Sequence, residues 1–419
     1  MLSKRILLLA ATTGYQTRAF AEAAQRLGLD LILATDRCHV LDDPWGDRAV
    51  PVRFEEPEAA AMLLAQLSPQ PQAIVALGDR PTGIAALAAA RLGIAYNSFE
   101  SVQTCRNKHR AREGLRAAGL PAPDFFQIPL ESLPEEWRRR ATYPCVLKPL
   151  GLSGSRGVIR ANNQNEFSDA FHRIRALLLG PEILRLHEGL DRFIQVETFI
   201  PGREYALEGL LRDGELQVLA VFDKPDPLDG PYFEETLYIT AADVPQNLVD
   251  ATERAIQALG LTQGPVHAEM RVSPDGTTVW ILEVAARPIG GLCSKALKFQ
   301  DGVSLEELVL RHAIGEDVRG IRREASAAGV MMIPIPNSGV YAGVTGTEDA
   351  ARIHAIEEVI ITAKVGQRLL QLPEGNSYLG FLFARAESPQ AVEIALRSAH
   401  AKLRFEIVTE LPVLSGRAN

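Results

Sequence analysis

Acidic and basic side chains alternate with apolar ones along residues 264–291, which read GPVHAEMRVSPDGTTVWILEVAARPIGG. Two alternating segments flank Pro274-Asp275-Gly276, and a turn between alternating runs predicts an antiparallel hairpin. Folding the hairpin about Gly276 sets Glu269 opposite Glu283, in a register that requires an odd-length loop with a bulge and could slip by one residue. Facing carboxylates ~5 Å apart repel each other. The pattern therefore predicts a cation between them.

Two sources of that cation are open. Arg271 and Arg287 share the face of the two glutamates and could form a cross-strand salt bridge on a solvated surface. A divalent metal could also bind, and carboxylates with few other protein ligands suit Mg²⁺, which keeps water and phosphate oxygens in its shell. The other face of each arm is predicted to be apolar: Val266, Ala268, Met270 and Val272 on the first arm, Trp280, Leu282, Val284 and Ala286 on the second.

The composition is that of an ordinary globular protein of two to four domains, with 419 residues, 47% apolar and 23% charged. A net charge of −8 without a long basic run argues against a nucleic-acid or membrane-surface role. The apolar run at residues 6–11 is too short for a signal peptide or a membrane span, so it predicts a buried strand. Four scattered cysteines without CxxC spacing predict buried free thiols in the cytoplasm: Cys38, Cys105, Cys145 and Cys293.

The first hundred residues alternate strands with helices. Strands are predicted at residues 5–11, 29–35 and 73–77, with a helix at 17–27. This rhythm predicts a small parallel sheet with helices on both faces. The loop at residues 12–14 carries one glycine and lacks the G-x-G-x-x-G pattern, which disfavours a dehydrogenase, but loops at the carboxyl ends of such strands can contact a small substrate.

The middle of the chain contains a Gly/Ser loop, residues 151–158, directly after a strand that ends near Lys148. Such a loop can fold backbone N–H groups around a phosphate, although it lacks the G-K-[ST] of a Walker A motif, and a loop of this kind alone is more often a flexible hairpin tip. Residues 222–243, rich in Asp, Pro and Gly, predict a mobile loop. The other predicted elements are helices at 108–118, 165–179 and 246–259, a strand at 193–199 and a hairpin of 204–211 with 215–221.

After a helix at residues 304–313, the tail predicts a separate mixed module over residues 329–409. Its predicted elements are strands at 330–335, 379–384 and 405–407 and a helix at 389–403.

Five motifs together resemble the ATP-grasp superfamily of carboxylate ligases over residues 100–315: NK, VLKPL-GLSGSRGV, QVETFIPGREY, HAEM and LEVAARPIGG. The E-x-A-A-R motif and the tail PNSGVYAGVTG…EGNSYLGFLFA are most similar to the dipeptide-forming L-amino acid ligases. The resemblance implies an α/β and α+β multidomain fold. Its parts would be a Rossmann-like pre-ATP-grasp domain (residues 1–100), an ATP-grasp region of two α+β subdomains (101–315, with a small lid at about 125–198) and a C-terminal α+β module (316–419).

The resemblance also implies roles for single residues. The phosphates of ATP would meet Lys108, Lys148 and a glycine-rich lid containing Gly154, Ser155 and Gly157. Adenine would meet Glu197 and the backbone of Phe199 and Ile200, and ribose would meet Glu204; the alternative for the two glutamates is a solvated position at a strand end.

For the chemistry, the resemblance makes Glu269 and Glu283 the Mg²⁺ ligands and Arg287, with Lys148, the catalytic pair. Ala285 occupies a position where many relatives place an asparagine ligand, which bears on binding of a second Mg²⁺. Substrate contacts fall to His267, Gly290 and Gly291, with a structural hydrogen bond as the alternative for the histidine.

The implied reaction uses ATP and Mg²⁺ to join a carboxylate and an amine, both expected to be amino acids, through an acyl phosphate, releasing ADP and phosphate. Two alternatives remain: another ATP-grasp ligase, biotin-carboxylase-like or from the purine pathway and using bicarbonate or formate, or a non-catalytic nucleotide sensor. The tail and the first domain could supply a homodimer surface.

Overall fold

The computed structural model describes residues 3–11, 16–36, 48–185 and 189–409, arranged around four β-sheets. The predicted loop at residues 12–14 and Cys38 lie outside the described residues. Cys105, Cys145 and Cys293 are buried free thiols, as predicted. Of the described helices, none has the length and apolar character that crossing a bilayer requires.

The N-terminal unit is a four-stranded parallel sheet of order β3-β2-β1-β4, as the alternating pattern predicted. The apolar strands are buried because helices cover both faces: α1 and a later helix on one side, α2 and α3 on the other. The elements are β1 (Arg5–Ala10), α1 (Thr17–Arg26), β2 (Asp30–Thr35), β3 (Ala49–Pro51), α2 (Pro57–Ala65), β4 (Ala73–Leu77) and α3 (Asp79–Leu92).

Two helices lead into a second, four-stranded antiparallel sheet of order β5-β8-β6-β7, which we call the lid sheet. Helix α7 buries its apolar stripe against this sheet. The elements are α4 (Phe99–Arg106), α5 (Lys108–Ala117), β5 (Phe125–Pro129), α6 (Pro134–Trp137), β6 (Cys145–Pro149), β7 (Ile159–Ala161), α7 (Gln164–Leu178), α8 (Pro181–Leu184) and β8 (Phe193–Thr198).

An eight-stranded antiparallel sheet, the central sheet, runs in the order β13-β12-β9-β10-β11-β14-β18-β16, and β17-β15-β19 form a smaller sheet. The elements are β9 (Arg203–Arg212), β10 (Glu215–Lys224), β11 (Leu237–Thr240), α9 (Gln246–Leu259), β12 (Gly264–Val272), β13 (Val279–Ala285), α10 (Leu305–Ala313), β14 (Ala327–Ile333), β15 (Gly339–Thr345), α11 (Thr347–Ala351), β16 (Ile356–Ile361), β17 (Arg368–Leu369), β18 (Gly380–Ala386), α12 (Pro389–His400) and β19 (Arg404–Val408).

Two expectations from the sequence are wrong. The loop predicted at residues 222–243 is shorter, because β10 continues to Lys224 and β11 pairs on both sides within the central sheet. The tail is also not separate, because β14, β16 and β18 extend the central sheet through the β11–β14 pairing. The domain boundaries proposed from the sequence stay predictions.

The tail also contacts the lid. The Pro373 carbonyl accepts a hydrogen bond from Gly157 N–H (2.8 Å), and the Glu374 carbonyl accepts one from Arg156 Nε (2.8 Å). The Glu374 carboxylate forms a two-pronged ion pair with Arg173 of α7, with 2.8 Å between Nη2 and Oε2. The tail therefore holds the Gly/Ser loop from outside the lid sheet.

Candidate active site

A cleft opens between the lid sheet and the central sheet. Eleven of the residues predicted from the sequence line it: Lys108, Lys148, Gly154, Ser155, Glu197, Phe199, Ile200, Glu204, Glu269, Glu283 and Arg287. Gly157, His267, Gly290 and Gly291 are outside this lining.

The hairpin of β12 and β13 has the predicted register, with Glu269 paired to Glu283. A bulge follows at once, because Met270 pairs with Ile281 and leaves Leu282 as the extra residue. The predicted alternation along β13 is therefore wrong at this point: Val279 and Ile281 face the core beside Val284 and Ala286, and Leu282 reaches the cleft. The bulge lets the strand stay buried at both ends while Glu283 points into the cleft.

Neither predicted arginine lies between the two glutamates. Arg271 Nε donates to Glu204 (2.9 Å), and Arg287 binds elsewhere. Glu269 instead lies 3.5 Å from Lys224 Nζ and 3.1 Å from His267 Nε2, and Lys108 Nζ lies 3.8 Å from Glu283. Burial alone raises the pKa of Glu269, but Lys224 and His267 outweigh it and hold that pKa well below its usual value. Glu269 is therefore ionised.

Lys224 was missed because it falls in the segment predicted as a loop. Its ammonium lies 2.7 Å from Glu204 and 2.8 Å from Glu235. These two carboxylates and Glu269 come within 4.8 Å of one another and form a cluster of hard oxygen ligands. Because the lysine sits among them, the protein itself compensates part of the negative charge of this cluster. Binding of Mg²⁺ by Glu269 and Glu283 stays a prediction.

The phosphate end of the cleft is built on helix α5 and strand β6. Asn107 caps α5 by accepting from the N–H groups of His109 and Arg110, at 3.0 and 3.2 Å, so that Lys108 is the first helical residue. Lys108 Nζ donates to Leu152 O in the Gly/Ser loop, at 2.7 Å.

The loop itself requires glycine at one crowded point. Gly157 has φ +74°, and a β-carbon there would lie 2.7 Å from Pro149. Ser155 also adopts a positive φ (56°), as Gly154 does (64°). Three left-handed residues so close together curve the loop towards the cleft that Gly154 and Ser155 line.

Lys148 and Glu197 belong to a buried charge network. Glu197 Oε2 accepts from Lys148 Nζ (2.6 Å), while Oε1 accepts from Arg112 Nε (2.8 Å) and Gln195 Nε2 (2.9 Å). Arg112 Nη1 also donates to Ile281 O (2.7 Å), which ties α5 to the hairpin. The Glu197 carboxylate is thus a counter-ion of two buried cations, and its predicted contact with adenine stays a prediction that would require sharing this oxygen pair.

An apolar wall closes the other end of the cleft. Phe199 and Phe233 stack with centroids 6.4 Å apart, and the Arg271 guanidinium lies over both rings, at 5.3 and 5.7 Å. Arg271 Nη1 donates to Ile200 O (2.7 Å), and Phe199 N–H donates to Pro144 O (2.9 Å). The Phe199 N–H is therefore already engaged. The wall suits a flat aromatic group.

His267 is held between two carboxylates. Its Nδ1 contacts Glu208, its Nε2 contacts Glu269, and the other oxygen of Glu208 accepts from Ile289 N–H at 3.1 Å. Burial lowers the pKa of His267, but Glu208 and Glu269 raise it overall to about 9, so the imidazole is protonated at neutral pH. This geometry gives His267 a structural hydrogen-bonding role, and substrate contact by His267, Gly290 and Gly291 stays a prediction.

Arg287 is bound by Asp79, at the start of α3. Arg287 Nε and Nη2 donate to the two carboxylate oxygens at 2.9 and 3.2 Å, and Nη1 donates to Pro288 O at 3.2 Å. Asp79 was not among the site residues predicted from the sequence. Its position after a parallel strand, where ligand-contacting loops gather, was the available signal.

Comparison with known proteins gives two family matches. Residues 141–296 match the ATP-grasp domain, and residues 331–408 match the L-amino acid ligase C-terminal domain 2. A solved L-amino acid ligase from Bacillus licheniformis is 28% identical, with a TM-score of 0.81 over 97% of this chain and 99% of that chain. An N5-carboxyaminoimidazole ribonucleotide synthetase from Thermotoga maritima, 16% identical with a TM-score of 0.69 over 97% of this chain and all of that chain, shares the fold.

Two curated relatives are similar over part of their length. Dapdiamide A synthase of Enterobacter agglomerans is 26% identical over 55% of this chain and 54% of that protein. A D-alanine–D-alanine ligase of Prochlorococcus marinus is 27% identical over 48% of this chain and 59% of that protein. These matches span little more than half of each relative.

Proposed function

We propose that this chain, whose residues 141–296 match the ATP-grasp domain, joins the carboxyl group of one amino acid to the amino group of another, with cleavage of ATP to ADP and phosphate. The observation that carries this proposal is the convergence, in one cleft, of two opposed carboxylates and three cations: Glu269, Glu283, Lys108, Lys148 and Arg287. Acids alone would suit a simple metal site. Acids with cations beside a glycine-rich loop suit a nucleoside triphosphate and its metal.

The reaction has two steps. The carboxylate of the first substrate attacks the γ-phosphorus of ATP, which forms an acyl phosphate and releases ADP. The amine of the second substrate then attacks the acyl carbon, phosphate leaves, and the amine nitrogen loses a proton. Glu269 and Glu283 would hold Mg²⁺, which would supply positive charge to neutralise the phosphate groups.

The protein contributes orientation and charge to both steps. Lys108 and Lys148 neutralise phosphate oxygens from two sides of the Gly/Ser loop, and Arg287 stabilises the charge that develops on the transferring phosphoryl group. Adenine lies against the wall of Phe199 and Phe233. The loop shields the acyl phosphate from water.

Amino acids are favoured as substrates by the tail. The match over residues 331–408 and the 28% identity to an L-amino acid ligase along nearly the whole chain support them over bicarbonate or formate. The N5-carboxyaminoimidazole ribonucleotide synthetase, although similar in fold, is 16% identical.

The test is phosphate release from ATP with a panel of L-amino acids, singly and in pairs, with mass spectrometry of the products. We expect release that depends on amino acids and a product whose mass is the sum of two amino acids less water. Release that depends on bicarbonate would support carboxylation instead. Absence of release under every condition would refute the ligase assignment and support a nucleotide sensor.

A matched pair of variants controls the assay. Glu283→Gln should abolish release, since it removes a proposed Mg²⁺ ligand. Glu58→Gln should leave release unchanged, since Glu58 lies on the exposed surface of the N-terminal unit, paired with Arg91.

A further inference from the structure

The guanidinium of Arg287 is oriented by a residue of another unit of the fold. Asp79 lies in the N-terminal unit, 208 positions earlier in the chain, and meets Arg287 with two parallel hydrogen bonds of 2.9 and 3.2 Å. The side chain of Arg287 is only 10% exposed, and that of Asp79 is 21% exposed. Two-pronged arginine–carboxylate pairs fix the plane of the guanidinium as well as its position.

The local sequence places Asp79 for this contact. Gly78 has φ +83°, a backbone conformation that favours glycine, and it turns the chain sharply from β4 into α3. Asp79 then occupies the first turn of a 14-residue helix, where the peptide dipoles favour a negative charge. Burial raises the pKa of Asp79, but Arg287, Arg106 and Lys108 lower it below its usual value, so the carboxylate is ionised.

The contacts of Arg287 leave part of its donor set for the cleft. A guanidinium has five N–H groups, and the hydrogen bonds to Asp79 and to Pro288 O use three of them. Arg287 lines the cleft beside Lys108 and Glu283. A guanidinium anchored along one edge presents its remaining donors in a fixed direction.

We propose that Asp79 is a positioning residue, which holds the Arg287 guanidinium in the orientation required to meet the terminal phosphate of ATP. This inference rests on the proposed function, in which Arg287 stabilises the transferring phosphoryl group. It makes the N-terminal unit part of the catalytic apparatus, since the catalytic arginine is aimed by a carboxylate from that unit.

The test is a double-mutant cycle of Asp79→Asn and Arg287→Lys. Asparagine keeps the shape of Asp79 but loses the charge and one acceptor, and lysine keeps the charge of Arg287 but cannot form the two-pronged contact. For Asp79→Asn we expect kcat to fall ~10-fold or more, as misorientation of a catalytic group does. KM for the amino acids should stay within ~2-fold, because the proposal assigns Arg287 to the phosphate and not to the amino acids. In the Arg287→Lys background the second substitution should cause no further loss.

A second measurement needs no turnover. Dissociation constants for ATP and ADP, measured by calorimetry with Mg²⁺, give the preference for the terminal phosphate, and this preference should fall in Asp79→Asn. Asp79→Glu keeps the charge and should retain more of the preference than Asp79→Asn. It also serves as the second variant should the asparagine protein fail to fold. The control is again Glu58→Gln.

The outcomes separate the two claims. A wild-type protein without amino-acid-dependent release of phosphate would refute the proposed function, and the ATP/ADP preference would still report on Asp79. An active wild type, with kcat and nucleotide preference unchanged in both Asp79 variants, would overturn the positioning role alone. Additive losses in the double mutant would also overturn it, because Asp79 would then act independently of Arg287.

Discussion

Binding of ATP should weaken as the pH rises through 8, because Lys148 loses its proton there. Lys148 is 8% exposed. Burial lowers its pKa, Glu197 opposes this, and Arg112 and Lys108 add to the lowering, so that the pKa is about 8 in place of 10.5. A neutral amine cannot neutralise phosphate.

The size of the effect follows from that value. With a pKa of about 8, about nine tenths of Lys148 is protonated at pH 7 and about one tenth at pH 9. If only the charged form binds phosphate, the apparent affinity for ATP falls ~10-fold over this interval, or ~1.4 kcal/mol. The stability of the fold changes with pH in the opposite direction. Lys148 keeps its proton up to about pH 10.5 in the unfolded chain but only to about pH 8 in the folded protein, so its contribution to the free energy of unfolding rises between these two pH values.

Calorimetric titration of a non-hydrolysable MgATP analogue between pH 6.5 and 9.5 measures this dependence. Buffers of different ionisation enthalpy reveal proton uptake on binding, which should appear above about pH 8. Lys148→Met should bind the analogue more weakly at every pH, and its affinity should not fall around pH 8. A change in affinity caused by His267, whose pKa is about 9, should be seen in both proteins. Identical profiles for wild type and Lys148→Met would refute the reasoning.

Three further outcomes are expected. Glu283→Gln should abolish turnover with an unchanged melting temperature, since Glu283 faces the cleft; near-normal turnover would refute its proposed role as a metal ligand. Arg112→Met should lower the free energy of unfolding in urea by ~3–5 kcal/mol, because it strips a buried carboxylate of a partner; a loss below ~1 kcal/mol would contradict the network. Glu374→Gln should raise the ratio of phosphate released to amide formed, because it loosens the contact with Arg173 that holds the lid, whereas the exposed Glu348→Gln should leave that ratio unchanged.

The register of the β12–β13 hairpin was predictable because it depends on local features, a turn signal and two alternating arms. The position of the bulge was not, because Leu282 becomes the extra residue only once Val279 and Ile281 are buried against the core. The pattern of residue types is compatible with either Ile281 or Leu282 facing the core. Helix α9 was predicted at both of its ends, since a sharp apolar period and a terminal glycine mark it.

The two site residues that were not predicted from the sequence, Lys224 and Asp79, were missed for the same reason. Lys224 and Asp79 each contact side chains from other segments of the chain, and no local periodicity or motif identifies those partners. The position of Asp79 after a parallel strand indicated only that it could lie near a ligand. Lys224 follows an apolar run and precedes Pro225, which favoured a loop, yet its strand continues because Glu204 lies beside it. Electrostatics predicted a cation between the two glutamates, with the hairpin arginines and a metal as the two candidates. The structure places Lys224 and His267 beside Glu269 and Lys108 beside Glu283, and the metal stays a prediction.

The pairing of β14 with β11 limits how the tail can be exchanged between relatives. A graft made at the linker before residue 327 would bring a foreign first strand against Leu237–Thr240, whose cross-strand partners are Gly329, Val330 and Met331. A mismatched strand there would leave an open sheet edge, a template for aggregation. Chimeras intended to change substrate choice should therefore carry residues 237–240 together with the tail.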